Sequence, residues 1–358
     1  MSKNKLARCV MRGRVALIYG GRGYESEVSL CGADFVLPLI LESGFDCVPI
    51  FIAKDGRWLT SFDGENFYRA EREEGEENKK LCAPINLGGR GGILVGDEPV
   101  PIDCAFPLLH GDFGEDGSVQ GALEVAAIPY VGENAFVSAF CLDKVACRAL
   151  ADLLDIPGAR YVSLPKGASQ KEAQTFAEAK LSYPMFIKPR ALGSSVGAGK
   201  IKDKDAFSSA FNIASDGCSR GAIVEECLDI ACELEIGVLR HKGKLIFTKI
   251  GKIESKSGFY DYKEKYSGAS DVKIDSAPKI PERIEKELRS SAEKLASALE
   301  IRSISRIDFF LDKSGKLYFN EINTMPGFTG GSLYPALCRE VGISPRELVE
   351  ALICEALL

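Results

Sequence analysis

Residues 303–333 read SISRIDFFLDKSGKLYFNEINTMPGFTGGSL, and the organisation of the chain follows from this stretch. Two runs rich in β-branched and aromatic residues flank the polar turn Asp312-Lys313-Ser314-Gly315, the pattern of a β-hairpin. Alternation places Arg306, Asp308 and Phe310 on one face of the first strand, and Phe319, Glu321 and Asn323 on one face of the second. A two-residue loop at Ser314-Gly315 opposes Asp308 to Glu321 and Arg306 to Asn323. Two carboxylates and an amide then share one patch. Like charges directly opposed across strands repel, so the pair calls for a cation. An all-oxygen donor set suits Mg²⁺, which keeps waters and takes one or two carboxylates together with nucleotide phosphates. An isolated hairpin of this kind would read as a solvated face. The run continues into Asn323-Thr324-Met325-Pro326-Gly327, however, a turn that brings backbone amides to the same end, and the hairpin reads as part of a site.

The 358 residues exceed what one core normally organises, so two or three domains are expected. A hydrophobic content of 46% with 27% charged residues is that of a soluble globular protein, and the net charge of -6 argues against a nucleic-acid partner. Small-molecule chemistry is the remaining default. Twelve cysteines are scattered without a C-x-x-C pair, which supports neither a metal cluster nor a disulfide scaffold and fits a reducing cytoplasm. The first residues, MSKNKLARCVMRGRV, carry basic charge but no apolar core of signal-peptide form, and no run of eighteen apolar residues offers a membrane span.

Before the hairpin the chain alternates strands and helices. RVALIY at 14–19 predicts a buried strand, Gly20-Gly21-Arg22-Gly23 breaks it, and a helix follows over 27–42. The glycines do not complete G-x-G-x-x-G, so a dinucleotide fingerprint is a poor match. Glu25 sits where this α/β unit presents its strand ends to a ligand, and is a candidate for that reason. DCVPIFIA at 46–53 predicts a second strand. From Lys54 to about Pro101 the pattern weakens into polar and glycine-rich sequence, with the charge run at 70–80 read as a solvated insertion. Over 104–132 a strand ends at Leu109, a loop carries His110, Glu115 and Asp116, and a helix starts near Ser118; a lone loop histidine reads as structural.

Residues 134–154 predict a helical run with Lys144 near its start, followed by a helix at 169–181 and a strand at 185–188. The loop Pro189-Arg190-Ala191-Leu192-Gly193-Ser194-Ser195 lacks the G-K-[ST] ending of a P-loop, yet its small residues expose amides able to cover phosphates. AIVEECL at 222–228 predicts a strand that leaves Glu225 and Leu228 where main-chain groups can meet an adenine edge. ELEIGVLR and KLIFTKIGKIE predict a hairpin with His241 in its turn, facing solvent. The glycine-bounded stretch 255–270, with Tyr260, Tyr262, Lys265 and Tyr266, has the features of a compact functional loop. An amphipathic helix follows over 281–299, with Ile284, Leu288, Leu295 and Leu299 on one face.

Together GGRGYESEVSL, PLLHGDFGEDGSVQG, LDK, FIKPRALGSSVG, VEECL, YDYKEKY, SRIDFF and NEINTMPGFTGGSLYP resemble the ATP-grasp superfamily, and within it the D-alanine:D-alanine ligase family, in order, spacing and identity from end to end. Residues 54–101 resemble the longer members, and Cys227 departs from the large apolar residue usual beside the adenine. The resemblance implies a three-domain α/β and α+β fold: an N-terminal substrate-binding domain over 1–133, a central ATP-grasp subdomain over 134–224 and a C-terminal subdomain over 225–358. It implies that Lys144, Lys188 and Lys265 contact ATP phosphates under Ser194 and Ser195, that Glu225, Leu228 and Glu233 meet adenine and ribose, and that Tyr260 belongs to the same nucleotide set. Asp308, Glu321 and Asn323 would hold Mg²⁺ or Mn²⁺, two ions in all.

Glu25 would hold the ammonium of the first D-alanine, linked to Ser194 and Tyr266, with His110 in that substrate's surroundings. Arg306 and the Gly327 amide would face the developing oxyanion, and Ser332 and Leu333 the second D-alanine. The implied reaction joins two D-alanines through a D-alanyl phosphate, yielding ADP and phosphate, for peptidoglycan precursors, in a cytoplasmic homodimer. D-alanine:D-serine and D-alanine:D-lactate ligases are the rivals within the class. A non-catalytic nucleotide-binding regulator is the rival outside it, although here every implied lysine, arginine and metal position is filled.

Overall fold

A computed structural model describes residues 13–61, 82–89, 92–95, 98–216, 218–255 and 272–358. The apolar run at the start forms β1 (Arg14–Gly20), which pairs in parallel with β2 (Asp46–Ile52) and β7 (Cys104–Pro107). Val15 to Tyr19 are each at most 1% exposed, because helices cover both sides of the sheet. On one side α1 (Ser26–Glu42) packs Ala33, Val36 and Ile40 against Val15, Leu17 and Tyr19. On the other, α2 (Ser118–Val125) packs Val119 and Leu123 against Ala16, Ile18 and Ile50.

Beyond β2 the sheet continues antiparallel through β3 (Trp58–Ser61), β4 (Cys82–Gly89), β5 (Gly92–Val95) and β6 (Glu98–Pro101), giving seven strands in the order β6-β5-β4-β3-β2-β1-β7. This part of the stretch from 54 to 101 is therefore sheet, a correction to its reading as weakly patterned polar sequence. Short strands rich in glycine and proline show little alternation, and pairing along a pre-existing edge supplies what their propensity lacks. The charge run at 70–80 lies outside the described residues.

A second sheet, in the order β10-β9-β11-β8, comprises β8 (Tyr161–Leu164), β9 (Met185–Pro189), β10 (Gly199–Ile201) and β11 (Ala222–Glu226). It packs against α5 (Gln170–Glu178) and α6 (Phe207–Ser215), after α3 (Ala135–Leu142) and α4 (Lys144–Leu153). The predicted continuous helical run is thus two helices broken at Asp143, whose ψ of 100° is extended. Its carboxylate accepts from the Val145 and Ala146 amides and pairs with Arg190 at 2.7 Å and Arg220 at 3.0 Å, so a side-chain cap and two guanidiniums outweigh helical continuity.

The third sheet runs β14-β13-β12-β15-β16, from β12 (Ile230–His241), β13 (Lys244–Ser255), β14 (Val272–Asp275), β15 (Ile304–Asp312) and β16 (Leu317–Asn323). Its inner face buries Ile307, Phe309, Phe319 and Ile322 against α7 (Glu282–Ala298), with α3 and α4 contributing Val137, Cys147 and Ala151 to the same core. Ile284, Leu288, Leu295 and Leu299 face that core as the helical period requires. The chain then passes through α8 (Leu333–Arg339) to α9 (Pro345–Ala356), which returns Leu348, Leu352 and Ile353 to the core of the N-terminal sheet.

The opening hairpin forms with two departures from its expected geometry. Asp312 opposes Lys316 across a three-residue loop, closed by Gly315 N to Asp312 O at 3.0 Å with Gly315 at φ 82°. The register then runs Phe309 opposite Phe319 until a bulge at Asn320, after which Asp308 opposes Glu321 and Arg306 opposes Asn323. The extra loop residue and the extra strand residue cancel, so the expected partners meet. Phe319 does not share a face with Glu321 and Asn323, because the bulge shifts the alternation and sends its ring into the core.

Candidate active site

The second and third sheets face one another across a narrow cleft lined by Lys144, Lys188, the loop from Leu192 to Val196, Glu233, Glu235, Arg306, Asp308, Phe310, Asn320 and Glu321. Lys144 opens α4, and its Nζ donates to Leu192 O at 2.7 Å and stands 3.2 Å from Glu321 Oε2. Burial works against its charge, but the adjacent Glu321 outweighs it and raises the Lys144 pKa. Lys188, on β9, lies 2.9 Å from Glu225 Oε2 and donates to Asn320 Oδ1 at 3.0 Å. Each buried lysine thus has a carboxylate beside it, Glu321 for Lys144 and Glu225 for Lys188.

Arg306 and Asp308 lie two residues apart on β15 and therefore on one face; Nε and Nη2 donate to Oδ1 and Oδ2, each at 2.7 Å. Glu235, directly opposite Asp308 on β12, approaches Arg306 Nε at 3.0 Å. Burial opposes the guanidinium charge, and the Asp308 and Glu235 carboxylates overcome it, holding the pKa well above the ordinary value. Asn323 donates from Nδ2 to Asp308 Oδ2 at 2.8 Å, which turns its Oδ1 away from that carboxylate. Asp308 and Glu321 oppose one another across the hairpin, with Arg306 on the first carboxylate and Lys144 on the second, and Asn323 opposes Arg306.

Glu25 precedes α1 at the strand-end edge of the first sheet and accepts a hydrogen bond from Ser194 Oγ. A Cβ at Gly193 would stand 2.6 Å from Glu25 Oε2, so the missing side chain at 193 leaves that carboxylate room against the loop. Nearby, His110 is 8% exposed with Nδ1 3.1 Å from Met325 O, so that nitrogen is the donor. Burial lowers the His110 pKa against the pull of Glu25, and Nε2, which meets no partner among the described residues, is left as an acceptor. The histidine read as structural is buried and bonded to the main chain of Met325, with Glu25 close enough to act on its charge.

Glu115 ties the same loop down by accepting from the amides of Gly111 and Met325, each at 3.0 Å. Burial and the Glu25 charge push it up to about 7. Gly327 and Ser332 lie side by side, a Cβ at Gly327 falling 3.1 Å from Ser332 Oγ, which also accepts from Thr329 N at 2.9 Å. Leu333 turns its side chain to Ile253 and Leu337, leaving its main chain at the start of α8 for any contact with a substrate. Ser195 and Glu233 line the cleft, while Leu228 is half-buried just beyond β11. Tyr260, Lys265 and Tyr266 lie outside the described residues.

Sequence reasoning assigned no role to Glu235, Asn320 or Glu115. The period-2 pattern of ELE puts Glu233 and Glu235 on one face and could have flagged Glu235, whereas nothing local signals the bulge that turns Asn320 inward. A larger open cavity of about 620 Å³ lies between Ala127–Gly132, Arg240, Arg302 and the C-terminal residues, without the opposed lysines and carboxylates of the cleft.

Two α+β units closing on a cleft lined by lysines, an arginine and carboxylates, behind an open α/β domain, define an ATP-grasp protein. The sequence matches two family models, D-ala D-ala ligase N-terminus over residues 14–133 and D-ala D-ala ligase C-terminus over 150–354. It is 38% identical over 363 residues to a D-alanine--D-alanine ligase of Geobacillus thermodenitrificans, covering 97% of this chain and 96% of that one. A D-alanine--D-alanine ligase of Treponema denticola is 34% identical over 351 residues, covering 95% and 94%. Among solved structures, the VanG D-Ala:D-Ser ligase from Enterococcus faecalis superposes with a TM-score of 0.84 at 34% identity, covering 97% of this chain and all of that one. The D-alanyl-alanine synthetase A of Vibrio cholerae superposes with a TM-score of 0.82 at 28% identity, covering 97% and 98%. The chain belongs to the D-alanine–D-alanine ligase family.

Proposed function

We propose that this chain joins two D-alanine molecules into D-alanyl-D-alanine, converting ATP to ADP and phosphate through a D-alanyl phosphate. The observation that carries this reading is the meeting in one cleft of Lys144, Lys188, Arg306, Asp308 and Glu321, with Glu25 and Ser194 at its edge. A carboxylate oxygen is a poor leaving group, so the first D-alanine is activated by attack of its carboxylate on the γ-phosphate. Lys144 and Lys188 neutralise phosphate charge, and Glu225 and Glu233 meet the adenine and ribose. Glu25 receives the first ammonium, and the neutral His110 ring offers Nε2 as a further acceptor.

The second amine attacks the acyl carbon, phosphate departs, and Arg306 with the Gly327 amide faces the oxyanion. Ser332 and the Leu333 main chain bind this second substrate. The loop from Arg190 to Gly199 covers the reacting groups and keeps out water, which would hydrolyse the acyl phosphate.

The donor set fits Mg²⁺ or Mn²⁺. Asp308 and Glu321 bring two opposed carboxylates and Asn323 an amide oxygen that is not bonded to Asp308, a set an ion would complete with water and phosphate oxygens. Two such ions would screen the charge of the transferring phosphate when bound. On family resemblance the working form is a homodimer with the three-domain division at about 133 and 224. No described helix is long and apolar enough to cross a membrane, and none of the described cysteines forms a disulfide, which suits a reducing cytoplasm.

D-serine is the competing second substrate, favoured by the likeness to a D-Ala:D-Ser ligase. Phosphate release with D-alanine alone, D-alanine plus D-serine and D-alanine plus D-lactate, with products identified by mass, tests the reading. D-Alanyl-D-alanine from D-alanine alone is expected, and failure to release phosphate with D-alanine overturns it.

A further inference from the structure

We infer that Asn320 is a further phosphate-contacting residue of the nucleotide site, brought there by the β-bulge in β16; the inference rests on reading the cleft as a nucleotide site. In an unbroken strand residues 319 and 321 share a face. Here Phe319 and Ile322 both lie in the core, with Phe319 against Phe309 at 5.9 Å between ring centroids, and the two residues between them both reach the cleft. β16 is the outer strand of its sheet, so the main-chain groups of Phe319 that face away from β15 must be satisfied from outside the hairpin.

They are met by a built support beside the bulge. Phe319 N donates to Pro157 O at 2.8 Å, and Phe319 O accepts from Arg148 Nη1. Arg148, one turn after Lys144 on α4, is 2% exposed; its Nη2 donates to Ala159 O at 2.5 Å and its guanidinium lies 5.7 Å from the Tyr161 ring centroid. A Cβ at Gly158 would overlap that guanidinium. A buried guanidinium bonded to two carbonyls fixes the outer edge of β16 at Phe319, next to the bulge.

The residue held there is an amide whose orientation is set by its neighbour. Lys188 can only donate, so Oδ1 of Asn320 is the atom 3.0 Å from its Nζ, and Nδ2 is turned away. Among the described residues the side-chain hydrogen bond of Asn320 is the one through Oδ1, and the residue lines the cleft. Two amide N–H donors beside a lysine ammonium suit the oxygens of a nucleoside di- or triphosphate.

The test measures ADP dissociation constants by calorimetry, with adenosine followed as a competitor, for the wild type, Asn320→Ala and Asn320→Asp. The aspartate keeps an acceptor for Lys188 but replaces the donors with negative charge. Asn320→Asp is expected to weaken ADP about ten- to a hundredfold, with adenosine unchanged within about twofold and Asn320→Ala intermediate. Wild-type ADP affinity in Asn320→Asp would mean that the residue only braces Lys188, and equal weakening of adenosine and ADP would mean a general distortion; either overturns the inference. If the wild type does not bind ADP, the nucleotide reading of the cleft itself falls, and the role of Asn320 with it.

Discussion

Arg306 is held by both Asp308 oxygens and flanked by Glu235, so its guanidinium is positioned before any substrate arrives. Preorganised donors act mainly where charge develops, so Arg306→Met should lower kcat about 100- to 1000-fold while leaving ADP affinity within about threefold. Steady-state kinetics with parallel calorimetry decides this, and an unchanged kcat removes Arg306 from the oxyanion role. Glu321→Gln keeps the shape of the hairpin but takes one charge from the oxygen patch and the ionic partner from Lys144. Its activity should need a markedly higher Mg²⁺ concentration; a titration curve that overlays the wild type would argue that Glu321 is no metal ligand. The opposition of Asp308 to Glu321 and of Arg306 to Asn323 was legible from strand period and hairpin pairing, which are local rules, though through a loop one residue shorter than the real one. His110 was not, since its unmet nitrogen becomes visible only once Met325, more than two hundred residues away, claims the other one.

Among the elements, the break between α3 and α4 sets the position of Lys144. Asp143 caps α4 and carries Arg190 and Arg220, and these bonds hold its carboxyl below the usual range although burial pushes the other way. Asp143→Ala should cost about 1–2 kcal/mol through the lost cap. It should also raise the KM for ATP, because Lys144 follows directly and Arg190 belongs to the covering loop. Urea unfolding and ATP kinetics on the one variant check both; unchanged values on both would make the break incidental. The same break escaped the sequence because Leu-Asp-Lys-Val reads as helix, and the partners that favour a cap over a continuous turn come from residues 190 and 220.

At the scale of the whole molecule, the N-terminal domain is bound to the rest through buried carboxylates. Glu133 accepts from the amides of Arg302 and Ser303, both at 2.9 Å, and burial pushes its pKa up to about 7; Glu115, bonded to Met325, is also pushed to about 7. Unfolded glutamates titrate near 4.5, so between 4.5 and 7 the folded state binds more protons than the unfolded one, and stability falls as pH rises through 7. His110, with its pKa lowered, acts in the opposite sense but only below its ordinary 6.5. The urea midpoint should therefore be lower at pH 8 than at pH 6.5, and Glu133→Gln should flatten the difference. A midpoint that rises over that interval would contradict the assignment.

Much of the protein was legible from its residues. The parallel opening, the amphipathic α7 and the hairpin with its carboxylate patch all rest on periodicities within ten or twenty residues. The meeting of Asp308 with Glu321 was foreseen through a two-residue loop, and the structure reaches it through a three-residue loop and a compensating bulge. Only the tertiary structure showed that bulge, beside which Arg148 and Pro157 hold the outer edge of β16 from outside the hairpin. The strands between 58 and 101 likewise depend on a sheet edge supplied by β2, and Glu235 matters because β12 lies beside β15. Local pattern specifies which face a side chain takes; which groups that face then meets is set by long-range packing, and the cleft is assembled from such meetings.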